Sequence, residues 1–197
     1  MTSRIHRAAL AVALVAMAAA AHAGPRFKLG PRIEADAGTY EFTARKLFIG
    51  DREVDLLDAE FGATPFSDRY LAYLSCSLGA GPAKDGAGCA DWKLVDTRTR
   101  KPQPLKLPRF EPLLSTPAFR WPLIAYVAVS AAEDDKAHAE CLVYDWRRRK
   151  VLAAKLIAAD LPITDMPGFF DAPKFLADKQ VVSCEHEGQV YELVYVK

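Results

Sequence analysis

After residue 23 the chain holds two histidines, His138 and His186, and each has carboxylates nearby: Glu140 by the first, Glu185 and Glu187 flanking the second. A His–carboxylate pair can exchange a proton near neutral pH or help hold a metal ion, because imidazole titrates there and the carboxylate sets its tautomer. Both pairs fall between expected strands, where acidic hairpin tips are common, and they are read as solvated tips. Glu133, Asp134 and Asp135 gather three carboxylates but lack the D-x-D-x-D-G spacing of a calcium loop. There is no G-x-S-x-G elbow, H-E-x-x-H pair, Walker loop or dinucleotide glycine pattern. The Gly-rich run Gly79 to Gly88 contains Lys84, yet it leads into a strand rather than the helix N-terminus that phosphate sites use. Two basic turns, Arg98, Arg100 and Lys101, then Arg147 to Lys150, could contact phosphate or an anionic glycan. Exposed turn cations need no ligand to explain them, so they are read as solvated. No catalytic residue, metal ligand or cofactor is assigned.

The elements that would carry these residues follow from a unit that recurs three times. Its copies begin Pro65-Phe66, Pro117-Ala118-Phe119 and Pro173-Lys174-Phe175, pass a polar turn, and run through β-branched or aromatic residues to Ser75, Ser130 and Ser183. Those serines are 55 and 53 residues apart. Each copy continues through a polar loop to Trp92–Asp96, Cys141–Asp145 or Val190–Val194. In the first two, a basic turn and a further short strand follow, Gln103 to Leu107 and Val151 to Ile157. Short β-rich runs between turn signals predict antiparallel sheet. Lys150 to Asp160 has helical propensity but is read as strand from its place in the repeat.

Four short strands in meander order, with an aspartate-plus-basic turn between the third and fourth, resemble a β-propeller blade over about residues 62 to 197. The implied fold is all-β, a small propeller-like array of antiparallel four-stranded meanders; the alternative is a β-sandwich or barrel. The expected organisation is a signal peptide at 1–23 and one domain at 24–197. Within it, 24–61 is a lead-in and hairpin, and 62–116, 117–172 and 173–197 are repeat units. The third unit stops at Lys197 after its third strand. An open edge there invites aggregation, so Thr39 to Ile49 is expected to pair with it near Val190 to Val196. Thr39–Ile49 and Arg52–Phe61 read as a hairpin turning at Gly50-Asp51, with Gly24 to Pro31 an extended lead-in.

Four cysteines, Cys76, Cys89, Cys141 and Cys184, form an even set in a chain expected to be exported, which reads as two disulfides. Cys76 and Cys89 sit at the two ends of one loop and are expected to pair, leaving Cys141 for Cys184. Export is read from residues 1–23: Arg4, His6 and Arg7, an apolar run from Ala8 to Ala21, and the Ala21-His22-Ala23 cleavage form. The expected location is periplasmic or secreted, with no membrane span in the mature chain. Without Arg4 and Arg7, 24 basic residues face 25 acidic ones, a balance that argues against nucleic acid as partner.

In a meander array, the loops between second and third strands and the links between units emerge on one face. Here they are the longest segments, and they hold Phe110, Leu113, Leu114, Phe169 and Phe170. Apolar groups on exposed loops mark an interaction face, unless they fold back to cap the core. The function expected is therefore non-enzymatic: an exported module that binds a protein partner through those residues. Size, export, cysteines and architecture resemble the small exported immunity proteins of bacteria, which implies blocking a toxin or hydrolase directed at the cell envelope. The alternatives are an envelope hydrolase, which needs His138, His186 and Glu140 around one pocket, and a structural or ligand-binding envelope protein.

Overall fold

The computed structural model describes residues 24–37, 41–79, 87–108, 115–133, 136–162, 170–177 and 179–196. Among them the chain is all-β, with no helix, in several antiparallel sheets, none of which closes into a barrel. Fourteen strands follow in order: β1 Lys28–Asp36, β2 Glu41–Ile49, β3 Arg52–Asp58, β4 Ala63–Pro65, β5 Tyr70–Ser77, β6 Gly88–Asp96 and β7 Lys101–Pro104. Then come β8 Ala118–Arg120, β9 Leu123–Glu133, β10 Lys136–Asp145, β11 Lys150–Pro162, β12 Lys174–Phe175, β13 Val181–His186 and β14 Gln189–Val194. The repeat seen in the sequence is this meander: β4 to β7, β8 to β11, and the three-stranded β12 to β14, each pairing in chain order. The segment with helical propensity is strand β11 throughout.

Successive meanders stack face to face, and burial follows from position in the stack. The middle sheet is covered on both sides. Ile124, Tyr126, Leu142 and Tyr144 pack against Phe66, Ala72, Trp92 and Leu94 of the first sheet. The alternate residues Leu123, Val127, Cys141 and Val143 pack against Val182, Leu193 and Tyr195 of the third. Two covered faces need apolar residues at consecutive positions, which is why β9 opens Leu-Ile-Ala-Tyr-Val-Ala without alternation. The last sheet has one covered face, and β14 alternates accordingly. Leu193 is buried, while Val190 and Val194 are 62% and 71% exposed.

The N-terminal hairpin corrects one expectation. β2 and β3 turn at Gly50-Asp51 as anticipated, with Ile49 opposite Arg52. However, β2 lies between β1 and β3, β3 joins β5 through the register pair Leu57 and Ser75, and the third sheet ends at β14. The hairpin instead covers the free face of the first meander, with Leu47, Ile49 and Leu57 against Leu71, Tyr73 and Val95. Pairing with a unit nearby in sequence costs less loop-closure entropy than reaching the C-terminal sheet, and the apolar face of β2 finds its cover there. The lead-in is likewise part of a strand, since β1 pairs along β2 from Lys28 opposite Phe48 to Asp36 opposite Glu41.

Both disulfides form as expected. Cys76–Cys89 joins β5 to β6, and Cys141–Cys184 ties the middle sheet to the third across their shared core. Structural disulfides belong to an oxidising, extracellular-type environment. Among the described residues, no helix is long and apolar enough to cross a membrane.

Candidate functional site

The strands bring five turns to one end of the molecule: Gly50–Asp51, Ser67–Arg69, Thr97–Arg100, Trp121–Pro122 and Trp146–Arg149. Contacts tie them together. The Thr97 N–H and hydroxyl donate to the Arg69 carbonyl at 2.9 and 3.0 Å. The Trp146 N–H donates to the Pro122 carbonyl at 3.0 Å. A Cβ built on Gly50 would lie 3.7 Å from the Arg100 guanidinium.

The two basic turns share one plan. Each starts from a buried aspartate that caps it: Asp96 accepts the Arg98 N–H at 3.0 Å, and Asp145 accepts the Arg148 N–H at 2.9 Å. Each then places an arginine in the left-handed region, Arg100 at φ 58° and Arg149 at φ 54°. A non-glycine residue there costs roughly 1–2 kcal/mol, which glycine would avoid. Asp96 also pairs with the Arg69 guanidinium. That hydrogen bond, helped by the N–H groups of Arg98 and Thr99 and opposed by burial, holds the Asp96 carboxyl down at about 2. Arg148 lies 3.7 Å from Asp145.

Aromatic side chains floor this end. Trp121 is 41% exposed and stacks on Tyr70, with ring centres 5.9 Å apart and planes 16° from parallel. Trp146 meets Tyr70 at 5.1 Å and Trp121 at 5.7 Å. Phe66 is buried beneath them, with its ring 5.1 Å from Trp121, 6.0 Å from Trp146 and 5.6 Å from Phe119. Two clefts flank the Trp146–Arg149 turn. One, of about 590 Å³, is lined by Gln103, Pro104, Lys106, Tyr144, Trp146, Arg147 and Arg149. The other, of about 420 Å³, is lined by Pro122, Leu123, Asp145, Arg147 and Arg148. Burial pushes the Tyr144 hydroxyl up, so it stays neutral beside these cations.

A second polar assembly lies where the N-terminal hairpin meets the first meander. One oxygen of Asp55 accepts the Tyr73 hydroxyl at 2.9 Å, the Ser75 hydroxyl at 3.2 Å and the Lys93 ammonium at 3.0 Å. Burial, then Asp55, pushes the Tyr73 hydroxyl far up. The three donors come from β5 and β6 and the acceptor from β3, so the cluster is a clasp between them. Asp58 lies close to Cys76 and Cys89, but their sulfurs are bonded to each other and leave no thiolate for a metal.

Several residues singled out in the sequence sit elsewhere than expected. His138 and Glu140 are in strand β10 rather than in a loop. His186 ends β13, stacked on Phe170 at 4.5 Å. By strand alternation His138 and Glu140 lie on the side of the middle sheet turned to the first sheet, whereas His186 follows Cys184 toward the other. Phe170 is 6% exposed in the core between the second and third sheets, its backbone bridging Ser115. Phe110, Leu113, Leu114 and Phe169, like Lys84, Asp134 and Asp135, lie outside the described residues. The clasp and the aromatic floor escaped sequence reading. The repeated Asp-x-Arg-x-Arg-Lys string, Asp96 to Lys101 and Asp145 to Lys150, was the available signal for the turns.

Compared with known proteins, the chain matches no family model and no curated protein.

Proposed function

We propose that this chain is a non-enzymatic module that binds a protein partner in an extracytoplasmic compartment, reached through the signal-like segment 1–23. Its action would be that of an immunity or inhibitor protein, occluding an envelope-directed toxin or hydrolase. The observation that carries the reading is the composition of the turn end: Trp121, Tyr70 and Trp146 form a floor among turns that carry Arg69, Arg98, Arg100, Arg147, Arg148 and Arg149. Trp, Tyr and Arg dominate protein-interface hot spots because they offer large rigid area and directional hydrogen bonds at low entropic cost. The buried Asp caps and disulfide-tied sheets hold that surface before any partner arrives, which limits the ordering cost of binding. The propeller-like stacking of meanders serves this role as a rigid base.

The test is a pair of captures from an extracytoplasmic extract, one with the mature protein and one with variants, followed by purification of the retained partner. Trp121→Ala should release it and Arg147→Gln should weaken its retention, each while leaving the fold intact. Adding the mature protein to the purified partner should then suppress the partner's activity at one-to-one stoichiometry. If Leu113→Ala and Phe169→Ala release the partner and the turn variants do not, the docking face is the long loops. If the partner stays fully active in the complex, the inhibitor reading is wrong.

A further inference from the structure

We propose that the 590 Å³ cleft between β7 and the β10–β11 turn is a carboxylate site that receives an aspartate or glutamate side chain of the partner protein. The inference rests on the turn end being the docking face, and it names the group recognised there.

The lining sets the sign of the ligand. Lys106, Arg147 and Arg149 converge on the cleft, and among the described residues no carboxylate lines it. Among the described residues none of the three is paired with an acid, whereas Arg69 and Arg148 on the same end are neutralised by Asp96 and Asp145. In the neighbouring 420 Å³ cleft Asp145 pairs with Arg148, so among the described residues Arg147 is the one unpaired cation there, against three in this cleft. Arginines suit a carboxylate in particular, because the planar guanidinium donates two parallel N–H bonds to its two oxygens. Arg149 keeps its side chain at a left-handed position where glycine would be easier to accommodate.

The wall opposite decides how the ligand arrives. β7 is the outer strand of its sheet, and an extended peptide could in principle add to such an edge. The Leu105 N–H donates to the Trp92 carbonyl at 2.8 Å, which fixes the N–H groups of Lys101 and Gln103 toward β6 as well. The outward positions are Pro102 and Pro104, which have no N–H to offer. This edge thus offers no main-chain donor at its outward positions, and recognition falls to side chains: the cations, the Gln103 amide and the Trp146 ring.

The experiment titrates the ¹⁵N-labelled mature protein at low salt with hexaglutamate, with hexaglutamine as the uncharged match. Hexaglutamate should shift the amides of Gln103, Lys106 and Trp146 to Arg149, and hexaglutamine should not. Arg147→Gln and Arg149→Gln should each weaken binding by about threefold, as for an exposed ion pair, and Lys174→Gln on the distant β12 should leave it unchanged. Shifts spread evenly over all basic turns would overturn the cleft assignment while leaving the docking reading standing. Equal shifts from inorganic phosphate or trigalacturonate at far lower concentration would overturn it in favour of a small oxyanion or an acidic sugar. A partner capture insensitive to Trp121→Ala would instead remove the docking reading itself.

Discussion

Replacing Asp55 by alanine tests how the N-terminal hairpin is held. Its carboxylate is the single acceptor for Tyr73, Ser75 and Lys93, and β3 meets β5 in only one register pair. Tyr73 is fully buried and Ser75 is 6% exposed, so both hydroxyls would be stranded away from water. Stranding a buried donor costs about 1–3 kcal/mol. The Lys93 side chain is 27% exposed and can rehydrate, so its share is under about 1 kcal/mol. Because all three bonds converge on one oxygen, the losses overlap, and the total is taken as about 3 kcal/mol. For a domain of this size that corresponds to a fall in Tm of about 6–12 °C. Asp55→Asn keeps an acceptor without the charge and should lose about 1 kcal/mol. Amide hydrogen exchange gives the sharper reading: protection should fall in β2 and β3 before it falls in β9 and β10, since the clasp ties the hairpin to the first meander and includes no residue of β9 or β10. A loss below about 0.5 kcal/mol, or uniform loss of protection, would refute the argument.

Three further outcomes follow from the same contacts. The Cys141–Cys184 bridge spans 43 residues and Cys76–Cys89 spans 13, so by chain entropy replacing the first pair with alanine should cost about 4 kcal/mol and the second about 3; denaturant melts that reverse the order would locate the stabilisation elsewhere. The Asp96 carboxyl titrates at about 2 in the folded chain against 3.8 unperturbed. Its contribution is therefore complete above about pH 4 and is lost as pH falls toward 2; allowing for the partly exposed Arg69, the gap between parent and Asp96→Asn should shrink by about 1 kcal/mol over that range. Arg149→Gly should raise stability by about 0.5 kcal/mol, the left-handed strain relieved less the entropy of glycine, while weakening hexaglutamate binding; a variant that melts lower would show that the arginine holds the turn.

Much of the fold was legible because the repeat carries both kinds of signal at once. Phe66, Phe119 and Phe175 mark the entry to each unit, and the Asp-led turns mark the hairpins that join β6 to β7 and β10 to β11. The disulfide pairing was readable because Cys76 and Cys89 fall opposite each other in one hairpin, an arrangement local enough to see in one dimension. What stayed hidden depends on distant strands meeting. Asp55 reads as a surface acid until β3 is laid beside β5 and β6, where Lys93 and two hydroxyls converge on it. Tyr70, Trp121 and Trp146 are far apart in the chain and become one floor only when the first and second sheets stack. The attachment of β2 was misjudged for the same reason: an alternating strand says that one face is covered, not which sheet covers it.

The charge of this protein shows how a whole-chain quantity can hide a local one. Formal net charge is +1, yet Arg52, Arg69, Arg98, Arg100, Lys101, Arg120, Arg147, Arg148, Arg149 and Lys150 lie at or beside the five turns, against Asp51, Asp68, Asp96 and Asp145. Acidic side chains elsewhere balance this excess. Fields fade over about 8–10 Å in physiological salt, so a ligand feels only the surface it covers. A short acidic stretch on a folded protein would stay within the patch, with Trp121 and Trp146 supplying the apolar area that charge alone lacks. On the proposed docking reading, this segregation of charge suits a short acidic segment of a partner protein, met by the same residues that line the cleft.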